Sequence, residues 1–512
     1  MADAGLSSDR GGVQKRYHQG QTLTPLLCLS RGAREQPFLR AMPNKCFWIP
    51  IVEIVNNLVS GQAGFMDLGG ERYKLFFEGF GDWDLIVPKT VYPPREDSIL
   101  LAESLIKIGK IGETAMEIGC GSGAISIILN KLGYDVKCCD VNPLAVATTT
   151  GNLKNNNIYD VEIIETGLDD GLKFPKKTDL ITWNLPYMVS NDYGEILDHI
   201  EDASFLDIEE GWSNRLLENI EQQKERISDG CIVVLLFRTY PDSPSNPSLW
   251  TERGWASRVV NEMWIGDEKL EVIMFWRPGR GEFPILVDDC TSTMDEIDEF
   301  EEGMFTRLYT LNQTDGRGRK GSKWQSTVGD LTATWKIRMN MARKVSPGII
   351  QISIGAMISR VLNVGLKWPN DLVTFDGRKL GGVLIESDDS KYMKVGVGIN
   401  REKNNKKGLE VSGYLETIGD INQKDLFGII DLEMASKFEE IGNYGFLEED
   451  ALITDSWKVL SKILSRGVKL TDSINDFRII GLNEFGELEI QDGKKSVSEV
   501  IRDVDNNLTW II

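Results

Sequence analysis

Histidine is nearly absent from this chain: His18 and His199 are the only two in 512 residues. That leaves zinc centres and Ser-His-Asp catalysis poorly supported, since both need imidazoles in number or in a fixed triad. The seven cysteines (Cys28, Cys46, Cys120, Cys138, Cys139, Cys231 and Cys290) form no CxxC pair and no disulfide-like framework, so a reducing cytoplasm is expected. There is no run of about 18 apolar residues, so no membrane span is expected. There is also no GxxxxGK[ST], so any ATP is held without a P-loop. Cations are short as well, with 57 Lys plus Arg against 78 Asp plus Glu and a net charge of −21. Such acidity argues against a broad phosphate-tracking surface and hence against a nucleic-acid partner, while leaving room for a small basic pocket. The chemistry is left to Asp, Asn, Lys, Arg, backbone groups and cofactors.

The length exceeds what one core normally serves, so two or three domains are expected. Residues 1–41 carry Arg10, Lys15, Arg16, Arg31, Arg34 and Arg40 without a helical or strand period, which reads as a disordered tail. A transit-like segment, or an extension ahead of a start at Met42, stays open. From about 50 to 276 the pattern alternates β and α. Strands are expected at 114–118, 135–140, 179–183 and 231–237, with helices between the first three: a parallel sheet covered by helices. Arg277-Pro278-Gly279-Arg280-Gly281 reads as a short linker between halves with separate cores. A second α/β region runs from Glu282 to about Ser465. The stretch 467–512 has short strand candidates separated by turns at 483–486 and at Asp492-Gly493, which suits a small β-barrel. No repeat relates the halves.

In the first half, Gly119-Cys120-Gly121-Ser122-Gly123 follows a strand and opens a helix. Glycines there allow close backbone approach and leave helix N–H groups facing a ligand. Asp140, 23 residues after Glu117 and at the end of the next strand, can accept from both hydroxyls of a ribose. An ordinary glycine turn is the plain alternative, and NAD the competing ligand, although a pyrophosphate-binding GxGxxG is absent. Asn184-Leu185-Pro186-Tyr187 directly follows a strand. The Asn184 side-chain oxygen and a neighbouring carbonyl can grip the N–H groups of a target nitrogen and turn its lone pair toward a methyl donor. Pro186 stiffens the turn, and Tyr187 offers a flat face for a planar amide or base.

Residues 85–276 resemble class I S-adenosylmethionine-dependent methyltransferases, particularly the release-factor glutamine methyltransferase group. The matching pieces are Val91-Tyr92-Pro93-Pro94-Arg95-Glu96-Asp97-Ser98, residues 117–123, Asp140-Val141-Asn142-Pro143 with Ala145, and residues 184–187. The resemblance implies a Rossmann-like domain over 42–280 that binds S-adenosylmethionine through Glu117, Gly119, Gly121, Gly123, Asp140 and Asn184. Asn184, Leu185, Pro186 and Tyr187 would clamp the methyl acceptor, with Asn184 in the catalytic role. Leu185 stands where the family has its first proline, and Gly167-Leu168 where it has Asp-Leu, with Asp169 or Asp170 as substitutes near the adenine. The acceptor is a protein glutamine, another protein nitrogen or a nucleic-acid base. Acidity favours a protein, for example a release factor.

In the second half, Gln313 to Trp324 encloses Gly316, Gly318 and Gly321 with Arg317, Arg319, Lys320 and Lys323, a flexible cationic loop able to fold over an anion. Lys367-Trp368-Pro369-Asn370-Asp371-Leu372 places a lysine at a strand end, where it can offset charge growing on a carboxylate that attacks a phosphate. Arg378 to Glu386 carries the pair Gly381-Gly382 into an apolar strand, and Val395-Gly396-Val397-Gly398-Ile399-Asn400 is another strand with a polar end.

These four motifs, in this order, resemble biotin protein ligases over 283–512. The resemblance implies a class II synthetase-like α/β catalytic domain over 281–465 and a small SH3-like β-barrel over 466–512. It implies that Ser292, Thr293 and Gln313 surround the biotin ureido head and that Gly316, Arg317, Arg319 and Trp324 form the closing loop. Lys367 would contact the reacting carboxylate and phosphate, with Arg319 beside it in catalysis, and Gly381, Gly382 and Gly396 would shape the walls. Arg319, Asn370, Asp371 and Asn400 would bind ATP with magnesium. Met294 stands where many relatives have Asn, and Ser322 where many have Arg. The partner is a lysine of a biotin carboxyl carrier protein. A transcriptional-repressor activity is not expected, and a homodimer is an open assembly. The readings carried are a bifunctional protein-modifying enzyme, a ligase with a non-catalytic module for S-adenosylmethionine or a partner, and a methyltransferase acting on nucleic acid or in biotin synthesis.

Overall fold

The computed structural model describes residues 70–188, 206–300, 303–338, 345–387, 392–406, 409–445, 448–464, 469–471, 476–492, 498–501 and 509–511. The expected tail, 1–41, lies outside them. Among the described residues no helix is long and apolar enough to cross a membrane.

A hairpin of β1 (Glu71–Phe77) and β2 (Gly81–Val87) precedes helix α1 (Glu96–Ile108). A seven-stranded sheet follows: β3 (Thr114–Ile118), β4 (Asp135–Asp140), β5 (Glu162–Glu165), β6 (Thr178–Asn184), β7 (Ile227–Tyr240), β8 (Ala256–Ile265) and β9 (Glu268–Trp276). Their order is β5-β4-β3-β6-β7-β9-β8, parallel from β5 to β7 and antiparallel at β9 and β8. Helices α2 (Ala124–Lys131) and α3 (Pro143–Asn155) are the crossovers after β3 and β4. β3 and β4 have the expected bounds: β3 is buried along almost its whole length, and β4 buries Val136, Cys138 and Cys139 between polar ends. β7 is twice the length expected. Its polar flanks, from Ile227 and out to Tyr240, are strand only because β6 and β9 pair with them.

The second half is a nine-stranded mixed sheet. Its members are β10 (Ile285–Cys290), β11 (Phe305–Gln313), β14 (Leu331–Arg338), β15 (Gly365–Lys367), β16 (Asp371–Val373), β17 (Lys379–Ser387), β18 (Tyr392–Ile399), β19 (Asn404–Lys406) and β20 (Leu409–Val411). The main path runs β10-β11-β14-β18-β17-β16-β15. The cationic loop is closed by a short ladder of β12 (Gly316–Arg317) on β13 (Lys323–Trp324). The chain ends in five antiparallel strands: β21 (Lys469–Thr471), β22 (Asp476–Leu482), β23 (Leu488–Asp492), β24 (Ser498–Ile501) and β25 (Thr509–Ile511), in the order β24-β23-β22-β21-β25. The expected turn at 483–486 joins β22 to β23 and is docked, since the buried Trp368 donates its indole N–H to the Gly486 carbonyl at 2.9 Å.

The expectation of separate cores is wrong. One buried apolar cluster runs from Leu75 through Trp276, Trp335 and Phe427 to Ile490, spanning both halves. The stretch 277–281 is likewise no loose linker: it is a tight turn in which Gly279 is buried, with φ of 65°, 55° and 83° at Gly279, Arg280 and Gly281. The Glu439 carboxylate accepts from Trp276 Nε1 (2.8 Å) and Gly279 N (3.0 Å). From the other side, the buried Arg258 guanidinium donates to the carbonyls of Ala435, Ser436, Glu439 and Gly445, capping the end of helix Gln423–Phe438. Arg258 and Glu439 lie 181 residues apart, and each reads alone as a surface charge.

Candidate active sites

At the carboxyl ends of β3, β4 and β6, where open α/β sheets bind ligands, a cavity of about 150 Å³ is lined by residues of the glycine turn, Asp97, Asp140 and residues 184–188. Gly119, Gly121 and Gly123 have φ of 67°, 50° and 82°, a conformation that side chains resist. Gly119 and Gly121 line the cavity. Gly123 does not; it opens α2 against Thr149. Asp140 accepts from the N–H groups of Gly121 and Asn142, both at 2.9 Å, with the Val141 N–H also directed at it, and burial pushes its carboxyl up. Glu117 lines the floor with its carboxyl accepting from Ser126 Oγ, and burial raises its pKa well above the usual range.

Asn184 has a definite orientation. Its Nδ2 donates to Asp97 Oδ2 at 2.9 Å, and because an ionised carboxylate only accepts, the amide oxygen must face the other way. That oxygen is buried and has no partner among the described residues. Asp97 is itself 2% exposed, and it also accepts from Tyr92 Oη at 3.1 Å and Ser98 N at 2.6 Å. The Tyr92 phenol is pushed far up by burial, and next by the Asp97 charge. Leu185 is buried, Tyr187 is half-buried, and Trp183 packs on Trp212 at 5.9 Å. Asp97 and Trp212 were not expected to line the site, although Asp97 lies inside a stretch that carries the family resemblance. Asp169 does not stand in for the missing acid, because it does not line the cavity and is ion-paired with Arg215 at 2.8 Å.

In the second half a cavity of about 280 Å³ brings together Ser292, Thr293, Gln313, Arg317, Arg319, Trp324, Asn370, Asp371, Gly382 and Gly396. Two buried polar atoms there lack partners among the described residues, Ser292 Oγ and Trp324 Nε1. Gln313 Oε1 is taken by Thr293 N at 2.9 Å, and Thr293 Oγ1 accepts from Thr334 at 2.9 Å, so this wall is pre-set. Arg317 is held by Asp295 (2.7 Å) and Glu386 (3.1 Å). Asn370 donates to the Val383 carbonyl at 2.9 Å, and Asp371 pairs with Lys379 at 2.6 Å.

Lys367 and Asn400 are elsewhere. They line an adjoining cavity of about 490 Å³, which shares Lys323, Trp324, Asp371 and Lys379 with the first. Gly316 and Gly381 line neither. Asn400 Oδ1 accepts from Lys406 Nζ at 2.8 Å, and the same ammonium pairs with Asp330 at 2.8 Å and lies 5.6 Å from the Trp324 ring centre. Neither Lys406 nor Asp330 belongs to a recognisable motif. Among the described residues no group of three or more His, Cys, Asp or Glu could hold a metal ion.

Comparison with known proteins agrees with this division. Residues 96–204 match the methyltransferase small domain, and residues 293–400 match the biotin/lipoate A/B protein ligase family. The chain is 27% identical over 217 residues to the bifunctional ligase/repressor BirA of Escherichia coli, covering 39% of this chain and 64% of that one. It is 28% identical over 189 residues to a putative protein N5-glutamine methyltransferase of Methanocaldococcus jannaschii, covering 36% of this chain and 92% of that one. Among solved structures, biotin protein ligase from Aquifex aeolicus in complex with biotin and ATP matches at 23% identity with a TM-score of 0.32, over 43% of this chain and 100% of that one. The chain thus carries two enzyme domains, one of a methyltransferase family and one of a biotin/lipoate ligase family.

Proposed function

We propose that this chain is a bifunctional protein-modifying enzyme of the cytoplasm, joining biotin to a lysine of a biotin carboxyl carrier protein through biotinyl-5'-AMP and methylating a glutamine-type protein nitrogen. The methyltransferase would occupy 42–280, the ligase 281–465, and the five terminal strands a small SH3-like barrel over 466–512, with 1–41 as a tail.

For methyl transfer, the supporting observation is the Asn184 amide oxygen, buried, unpartnered among the described residues and turned away from Asp97 in a residue that lines the cavity with the glycine turn. It can accept one N–H of a carboxamide while the Leu185 carbonyl takes the other, which aims the nitrogen lone pair. S-adenosylmethionine fits this site: left-handed glycines admit its close approach, and the Asp140 carboxylate lines the cavity as an acceptor for ribose hydroxyls. It would supply the electrophilic methyl group. A peptide-chain release factor is the protein acceptor we expect.

For ligation, Ser292 Oγ and Trp324 Nε1 are unsatisfied groups at a wall fit for a ureido head. Lys367 lines the adjoining cavity together with Lys379 and Lys406, which are ion-paired to Asp371 and Asp330; a triphosphate would lie against these ammonium groups, and magnesium would enter with the phosphates. Arg319 and Arg317 belong to the loop that would close over the mixed anhydride.

The test uses the full chain with ATP, biotin and a carrier protein, and separately with labelled S-adenosylmethionine and a purified release factor. Label on one lysine and on one glutamine, located by mass spectrometry, is the expected result. Cofactor binding without methylation of the release factor or of any protein in a cell extract would overturn the methyltransferase half in favour of a binding module. Failure to biotinylate would overturn the ligase half.

A further inference from the structure

Two large aromatic side chains sit in water at the edge of the first half. Tyr240 is 57% exposed and Trp264 59%, and their rings meet at 5.9 Å, tilted by 53°. Tyr240 is the last residue of β7, and Trp264 is next to last in β8. Both pair with Lys269 of the intervening β9, so the three side chains form one row across three strands. Residues directly opposite in register project to the same face. The row therefore shares its face with Glu262 and Glu271, which pair with each other one step inward and bind Lys269 at 2.9 and 2.5 Å.

The row stands at the carboxyl end of β7, the same end of the sheet as the proposed methyl-transfer site. Asn184 is opposite Leu236 on β7 and shares the Leu236 face, whereas Tyr240, four residues further along and past a bulge after Arg238, stands on the Phe237 face. Phe237, which pairs with Glu271, belongs to the same buried cluster as Trp183 and Leu216, and Trp212, a cavity-lining residue, packs against that cluster. The aromatic row and the Trp212 wall thus stand on one face of the sheet.

The electrostatics select the partner. Glu262 and Glu271 share the row's face with Lys269, and Asp242 and Asp267 follow β7 and β8 within two residues, whereas Glu268 and Arg238 project to the other face. Arg238 is buried and spent on Glu268 at 2.9 Å. The surplus of carboxylates repels phosphate, and so disfavours nucleic acid and anionic lipid. A guanidinium or ammonium is drawn in, since it can stack on the exposed rings while the carboxylates balance its charge.

We propose that the Tyr240–Trp264 row is the docking surface for a basic segment of the methyl-acceptor protein. This rests on the proposed protein methyltransferase reading. A stack and its flanking charges position the acceptor without touching the reacting atoms, so they act on affinity and not on the methyl-transfer step.

The test measures fluorescence anisotropy of a labelled eleven-residue peptide with a central glutamine flanked by Lys and Arg, its Glu-flanked counterpart, and a single-stranded RNA of similar length, each mixed with the full chain and S-adenosylmethionine. We expect the basic peptide to bind at least about tenfold tighter than the acidic one. The Tyr240→Ser/Trp264→Ser double variant should lose about tenfold in that affinity, while S-adenosylmethionine affinity, which reports an intact fold, stays unchanged. Glu262→Gln should weaken basic-peptide binding in a salt-sensitive way. Equal binding of the two peptides, preference for RNA, or unchanged binding by a folded double variant would overturn the docking surface. Because binding is read directly, absence of methyl transfer to the peptide would count against the methyltransferase reading and not against this one.

Discussion

Replacing Asp97 by Asn tests whether the orientation of Asn184 is what makes the first site catalytic. The substitution keeps size and shape but removes a group that can only accept. Residue 97 could then present either an oxygen or an NH2, and the Asn184 amide would lose its reason to point Oδ1 outward. The bond at stake is 2.9 Å long and ends on a carboxylate that is 2% exposed. Charged hydrogen bonds of this kind contribute about 1.5–3 kcal/mol. If that is lost only when the target is gripped, methyl transfer to a release factor should fall roughly 10- to 150-fold. The assay compares kcat and KM for labelled methyl transfer in the wild type, Asp97→Asn, Asn184→Ala and the double variant, with cofactor affinity measured by calorimetry. Because Asp97 acts through Asn184, the double variant should be scarcely worse than Asn184→Ala alone. Asp97→Asn activity within about threefold of wild type, or losses that simply multiply in the double variant, would refute the orienting role.

Arg319→Ala should let biotinyl-adenylate escape, with affinity reduced roughly 10- to 100-fold; gel filtration of the labelled intermediate with the protein reads this, and undiminished retention would contradict the closing-loop role. Lys367→Ala should slow biotin-dependent pyrophosphate release by about 2.7–4 kcal/mol in barrier, partly rescued at the transfer step by preformed biotinyl-adenylate. Since Lys367 lines the cavity of Asn400 and not that of Gln313, biotin binding without ATP should hold within about threefold. Glu439 gives a pH signature. Burial pushes its carboxyl up to about 7 from a usual value near 4.5, so the folded protein holds the proton more tightly than the unfolded chain. This contribution to stability is fully present below about pH 4.5 and is lost as pH rises through about 7, on the order of 3 kcal/mol in all. Glu439→Gln keeps an acceptor for Trp276 and Gly279 without the charge, so its urea midpoint should fall less than that of wild type between pH 5 and 8; parallel curves would show that the carboxyl is not charging in the fold.

Much of this protein is legible in short stretches of chain. Strands Thr114–Ile118 and Asp135–Asp140 are read at their observed bounds because each carries a short buried apolar stretch (Ala115-Met116, Cys138-Cys139) bounded by polar residues. The glycines at 119, 121 and 123 stand where a left-handed backbone excludes other side chains. Backbone geometry and periodicity are local demands, so they leave local traces, and the family-level identity of both halves follows from such traces. Direction and partnership are not local. The outward turn of Asn184 depends on Asp97, 87 residues earlier in the chain. Which side chains line the two adjoining cavities, one with Gln313 and one with Lys367, depends on how distant strands and the Trp324 loop meet. Arg258 and Glu439, which bind the two halves into one core, read as solvent-facing charges until distant backbone carbonyls and N–H groups surround them. A polar side chain's role is set by what packs against it, and that is decided only when segments far apart in sequence meet.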